Sequence, residues 1–507
     1  MKDLIELVQV VSKNKAKNLE IIGQGKKTPS NKTEQLYELL HSGKVRSREE
    51  AIEILFKQNQ NPEQALNKTI KKLEKKLLTS ILFVDLNQPK FRDIQKAFYL
   101  GHQDYAILKI LTGRSVSLSV RRKLAEKLYR TALKFEFTDL AILSLRQLRS
   151  TYLLTEGNPN LLERIHKQLE LQLKKFEAEL LAEEYYQNLA VHFVKSRASY
   201  SFLEPEAIEY VKKLEKIPDD HRTASFYLNY YRVKMYRYHI VYDHQRVLQS
   251  ANEAMGALSP KKHLLAPTAF LTFQISAISS MLHLGHYNEA KVEINRYFEE
   301  YPAVNHNWFI IKEYELLLYL HTGNYQEALE VFLEAFNKPE RTKLPSVYQE
   351  RWLLMEAFIH YLVMVEKAKP TLKQEAQLKG FKLGRFLNQV AEFSKDKQGA
   401  NIAVMALQIL FFLRQNKQSE VIDRVEALKA YTGRHLRKND TYRSSCFIKM
   451  LTQIPLGHFH KRTVYERAKK YIKKLAEMPL SKAPQSSEME PIPYEKLWEL
   501  TYEALRG

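Results

Sequence analysis

Few residues of this 507-residue chain are spaced for chemistry. Gly23-Gln24-Gly25-Lys26-Lys27-Thr28 contains the parts of a phosphate cradle, in which backbone N–H groups and a lysine surround the anion. One residue separates its glycines where a phosphate-binding loop needs four, so the segment reads as a flexible connection. His458-Phe459-His460 brings two imidazoles together, but neither a third ligand nor a Cys pair lies nearby, and a surface loop is the plainer reading. His283 and His321 each stand two residues before a glycine, an equivalence expected of packing positions. Phe226, Tyr227, Tyr230, Tyr231, Tyr236, Tyr238 and Tyr242 interleave with Arg232, Lys234, Arg237 and His239. Such a pattern can stack bases and hold phosphates of a single strand. It equally suits tyrosines that pack between helices, or whose hydroxyls line a peptide groove. No nucleophile stands beside a base, so the sequence predicts no enzyme, no cofactor and no metal site.

The elements that carry these residues are helical. Good helix formers dominate, breakers are few (15 Gly, 17 Pro), and no sustained period-two alternation indicates a sheet. The 45% hydrophobic content suffices for a continuous core. A single cysteine, Cys446, excludes an internal disulfide and suits a reducing cytoplasm, where it reads as a small core residue. The N-terminal apolar run is interrupted by Glu6 and Gln9 and lacks a cleavage site, so it is not read as a signal peptide. No stretch has the length of uninterrupted apolar residues needed to span a bilayer, and no membrane association is expected.

Net charge is +21, unevenly spread. Residues 434–474 hold 12 Lys and Arg against 2 acidic residues, residues 91–150 hold 12 against 5, and residues 285–360 hold 7 against 12. An asymmetric field of this kind steers a charged partner, although Lys-rich helix faces are commonly only solvated.

Four segments share one design: EAIEYVKKLEKIP (Ala207, Pro218), EAKVEINRYFEEYP (Ala290, Pro302), EALEVFLEAFNKP (Ala328, Pro339) and RAKKYIKKLAEMP (Ala468, Pro479). A recurring helix with a recurring stop signal predicts an all-α repeat protein. Five regions follow. Residues 1–88 form an N-terminal helical module, with Ser30 or Asn31 as an N-cap, Gly43 as a stop, a Ser47–Glu50 capping box and a long helix from Pro62. That helix carries Ala65, Thr69, Leu73, Leu77, Ile81 and Val84 near one face and Lys68, Lys71, Lys72, Lys75 and Lys76 opposite. Residues 89–200 form a helical section with a long connecting helix opened by Asn158-Pro159 and running to residue 195, with a break near Glu183 as the alternative. Residues 201–479 are the repeat body, 480–493 a Pro- and Ser-rich linker, and 494–507 a C-terminal helix with Leu497, Trp498, Thr501 and Leu505 on one side, which either caps the last repeat, the default, or docks elsewhere.

The two central copies go further. Gly285-His-Tyr287-Asn-Glu-Ala290 and Gly323-Asn-Tyr325-Gln-Glu-Ala328 lie 38 residues apart, each between an aromatic-rich helix and an Ala-led one. This resembles the turn and second helix of a tetratricopeptide (TPR) repeat. In that family Gly permits the turn, Tyr packs over it, Ala lets the two helices approach, and Pro ends the second helix. Ile294 and Phe332 fall at the family's large apolar position. The first helix departs, with Ile278 and Leu316 where a small residue is usual, and the spacing exceeds the usual 34. The outer copies lack the Gly-x-Tyr, and divergent units are expected around Val247, Leu383 and Val421. The resemblance implies a TPR-like αα superhelix, or solenoid.

Two functions fit. One is a non-enzymatic scaffold that binds a peptide or partner protein on the repeat surface. The other is a nucleic-acid-associated regulator that uses the basic N-terminal region and a surface formed by Arg434, Arg437, Lys438, Arg443, Lys461, Arg462, Lys469 and Lys470, with the repeats sensing a peptide or partner. The sequence names neither the partner nor the oligomeric state.

Overall fold

The computed structural model describes residues 1, 4–5, 8–9, 31–81, 86, 91–115, 117–155, 157–195, 201–266, 268–381, 384, 386, 400–435, 442–480 and 489–505. The glycine-rich connection at 23–29, Ser30, Val84, Leu383, Arg437, Lys438 and most of the expected linker lie outside these residues. Among the described residues the chain is all-helical, without a strand. It divides into two compact units, residues 1–173 and 174–507. The boundary between the two units falls inside the long connecting helix.

In the first unit, α1 (Lys32–His41) begins at Asn31, whose side chain accepts from the N–H groups of Thr33 and Glu34. Gly43 turns the chain at φ 72°. α2 (Arg48–Leu55) opens with the expected reciprocal capping by Ser47 and Glu50. α3 (Pro62–Ile81) buries Leu66, Thr69, Ile70, Leu73 and Leu77 against Leu36, Leu40, Ala51 and Leu55, while Lys68, Lys71, Lys72 and Lys75 stay exposed. α4 (Asp93–Gly113), α5 (Leu118–Lys134) and α6 (Thr138–Thr155) pack on one another. At Gly101 a Cβ would come within 2.8 Å of Leu140 Cδ1, so glycine sets how closely α4 approaches α6. α7 (Pro159–Lys195) is one 37-residue helix, unbroken at Glu183 and capped by Asn158.

In the second unit, the later part of α7 packs on α8 (Glu204–Glu215) through Ala178, Ala182, Ala207 and Val211. Helix pairs follow: α9 (Ala224–His239) with α10 (His244–Leu258), α11 (Leu271–Leu284) with α12 (Tyr287–Glu300), α13 (His306–Thr322) with α14 (Tyr325–Phe336), α15 (Ser346–Met364) with α16 (Leu372–Leu378), and α17 (Ala400–Arg414) with α18 (Gln418–His435). The last pair is α19 (Tyr442–Leu451), extended by the short α20 (Gln453–Leu456), with α21 (Lys461–Glu477); α22 (Tyr494–Glu503) stands alone. From α8 to α15 and from α17 to α22 successive helices contact one another, and first helices also contact first helices, α11 on α13 and α15 on α17.

One apolar core runs from Ala224 to Leu505. Ala290, Ala328 and Ala468 lie on second helices and Ala207 on α8, and all four have 0% exposure. A larger side chain there would force the paired helices apart. Pro218, Pro302, Pro339 and Pro479 each follow the end of their helix within three residues. Val247 and Val421 are fully buried in α10 and α18, filling the gaps where divergent units were expected.

Candidate interaction surfaces

The turn inside each pair is the repeated element. After α11, Gly285 adopts φ 75°, its N–H reaches Leu282 O, and the next N–H, of His286, reaches Met281 O. This double closure satisfies the last carbonyls of a helix. Gly323 (φ 82°) repeats the left-handed turn, with Asn324 N–H on Tyr319 O. The closure also recurs where no glycine stands. Tyr242, Glu366, Asn416 and His458 have φ of 55°, 59°, 56° and 53°, and the following residue's N–H bonds back to Tyr238 O, Leu362 O, Phe412 O and Ile454 O. All six pairs from α9 to α21 therefore turn alike. Two of the six carry the Gly-x-Tyr that marks the turn in the sequence. His458-Phe459-His460 lies in the last of these turns, with Phe459 buried in the core.

Beside the turns sit buried imidazoles. His321 donates from Nε2 to Glu490 O at 2.6 Å, so its Nδ1 is free to accept from the Tyr287 hydroxyl at 3.2 Å. Burial lowers the His321 pKa to about 4, in keeping with this neutral form. His283 donates from Nδ1 to Ser279 O and stacks on His244 at 3.8 Å. Burial holds His283 and His239 at about 4 and His244 at about 2. Tyr287 and Tyr325 begin the second helices beside the turn glycines, and burial raises the pKa of both hydroxyls.

Arg443 corrects the sequence reading. It was expected on a basic partner surface, and it is 5% exposed. All five of its N–H donors are used: Nε and Nη2 on Glu490, Nη1 and Nη2 on Glu495, and Nη1 again on Met478 O, at 2.7–2.9 Å. Burial, the largest influence, pushes its pKa down; the bonds to the two carboxylates reverse this and hold the guanidinium charged. Burial also raises the Glu490 carboxyl, with Arg443 pulling against it. The physical reason for the misreading is that a charge sum over 434–474 does not include acidic partners 47 and 52 residues away.

Those partners belong to residues 489–505. The end of the expected linker is packed rather than extended into solvent, with Ile492 at 0% exposure. α22 buries Leu497, Trp498 and Thr501, with Leu505 buried just beyond its end, the stripe read from sequence, and contacts α17, α19 and α21. Its ties extend further back. Lys496 Nζ lies over Gly323, where a Cβ would meet it at 2.8 Å, and Lys367 bonds Glu503 at 3.0 Å. The segment thus runs beside several turns rather than capping the last pair alone.

Of the remaining basic candidates, Arg462, Lys469 and Lys470 are exposed on α21, opposite its buried Val464, Ala468 and Leu475. Lys461 is half-buried, 5.9 Å from the Tyr502 ring. The side chain of Arg434 lies outside the described residues. Arg467, Lys473 and Lys474, which sequence reading did not single out, extend the exposed face.

The aromatic stretch packs between helices: Phe226 and Tyr231 are buried, Tyr230 bonds Glu215, Arg232 covers Tyr186, and Lys234 bonds Glu253 at 2.8 Å. In the acidic central repeats Lys312 lies 4.3 Å from the Phe298 ring and pairs with Glu315 and Glu334, while Arg351 pairs with Glu313. Among the described residues no cluster of three metal-ligating side chains occurs, and no helix is long and apolar enough to cross a membrane. No protein-family model matches the chain, and neither does any curated protein or solved structure.

Proposed function

We propose that this chain is a TPR-like helical-repeat scaffold that works in the cytoplasm by binding a peptide or partner protein, without catalysis of its own. The observation that carries this reading is the turn repeated through six successive helix pairs, with α11 stacked on α13 and α15 on α17. Stacked units of this kind form a superhelix whose useful property is a long surface rather than one pocket. Crosslinking and mass spectrometry on the native complex tests it. The expected result is reproducible crosslinks between one protein and residues 201–479. Recovery of nucleic acid with no reproducible protein would overturn it.

A second reading has a specific observation behind it, the exposed cations of α21 and of α3. In that reading they contact phosphates of a nucleic acid while the repeats hold another molecule. Its electrostatic form requires affinity to fall steeply as salt rises to physiological strength; affinity that stays flat eliminates it.

A further inference from the structure

Residues 489–505 are held as a bound peptide is held. Three kinds of recognition converge on them. His321 reads main chain, donating to the carbonyl of Glu490 across 169 residues of sequence. Arg443 reads charge, forking onto the carboxylates of Glu490 and Glu495, and Lys367 takes Glu503. Apolar contacts read shape: Ile492 lies between two prolines, and Leu497, Trp498, Thr501 and Leu505 form one helical stripe, the spacing by which an amphipathic helix anchors in a groove.

Resting on the scaffold reading, we infer that the edge formed by these turns and α19 is a peptide-recognition site occupied by the chain's own C-terminal segment. Its partner in trans carries the same chemistry: an acidic residue, an apolar residue between prolines, then an aromatic-bearing amphipathic helix with acidic positions. The Arg443 network suits exchange. A buried ion pair contributes selectivity more than net strength, because desolvation offsets much of the attraction. Nine residues, three of them Ser, separate Pro479 from Met489. Covalent linkage makes binding of the resident segment intramolecular, so a partner in trans competes only by binding better or when the segment is loosened.

That competition sets the experiment. The probe is a fluorescein-labelled synthetic peptide of residues 489–505, titrated by anisotropy into the full chain. Trp498→Ala in the chain loosens the resident segment and leaves the receiving groups intact. The expected result is binding at least ten-fold tighter to Trp498→Ala than to the unaltered chain, no binding of a scrambled peptide, and loss of binding when Arg443→Met is added. A folded Trp498→Ala chain that binds no better than the unaltered one overturns the inference, as does binding indifferent to Arg443→Met.

If Trp498→Ala does not fold, hydrogen exchange on the unaltered chain decides. Amides of α22 must exchange at least ten-fold faster than those of α11 and α13, and equal protection overturns the inference. Failure here leaves the scaffold reading standing, because that reading is decided by crosslinks to residues 201–479.

Discussion

Replacing Arg443 by alanine is the perturbation that separates a basic surface from a buried tie. It removes five donated bonds and leaves Glu490, 8% exposed, as a carboxylate with no cation. Breaking a buried pair by deleting one partner costs about 3–5 kcal/mol. Removal of an exposed cation such as Lys470 stays within about 0.5 kcal/mol. The cost resides mainly in the stranded carboxylate, so Arg443→Met with Glu490→Leu should recover most of it. Urea unfolding followed by circular dichroism and tryptophan fluorescence measures the midpoints. Hydrogen exchange over α19 and α22 locates the loss, since stacked helices need not unfold as one transition. The reasoning is refuted if Arg443→Ala shifts the midpoint no more than Lys470→Ala, or if the double variant recovers nothing.

The buried imidazoles predict acid sensitivity. Burial holds His239, His283, His321 and His360 at about 4, while unfolded imidazoles sit near 6.5. The unfolded chain therefore binds more protons between these values. The contribution is complete above pH 6.5 and lost as pH falls toward 4, worth about 3 kcal/mol for His321. Melting temperatures from pH 7.5 to 5 should fall, and a flat profile would contradict the assignment. Glu366→Gly should stabilise by about 0.5–1 kcal/mol, because an exposed left-handed residue becomes one free of Cβ strain. Gly323→Ala should destabilise by about 1–2 kcal/mol and displace Lys496; thermal melts showing the same sign for both would refute the turn account. Ala290→Leu should cost about 1–3 kcal/mol by overpacking the α11–α12 contact, while Lys291→Ala beside it should be near neutral in the same melts.

Legibility followed locality. Ser47 and Glu50 capping α2, Asn158 opening α7, the four alanines and the stripe on α22 were readable because each depends on neighbours within a few residues. The turns at Tyr242, Glu366, Asn416 and His458 were not, because a left-handed non-glycine residue carries no dependable sequence mark. The tyrosines of α9 were readable as packing or as base stacking. Only their surroundings, Glu215 at Tyr230 and Tyr186 under Arg232, decided for packing.

The sequence by itself determined that the chain is helical, where many helices begin and end, and which alanines face a partner helix. These properties rest on propensity, capping and periodicity, which act over single turns of chain. The tertiary structure decided what lies beside what. It buried Arg443 between Glu490 and Glu495, seated residues 489–505 along turns as far back as His321, and gave non-glycine residues such as Tyr242 and Glu366 the turn of Gly285 and Gly323. Such pairings depend on distance in space, and a residue's own neighbours in sequence do not encode it.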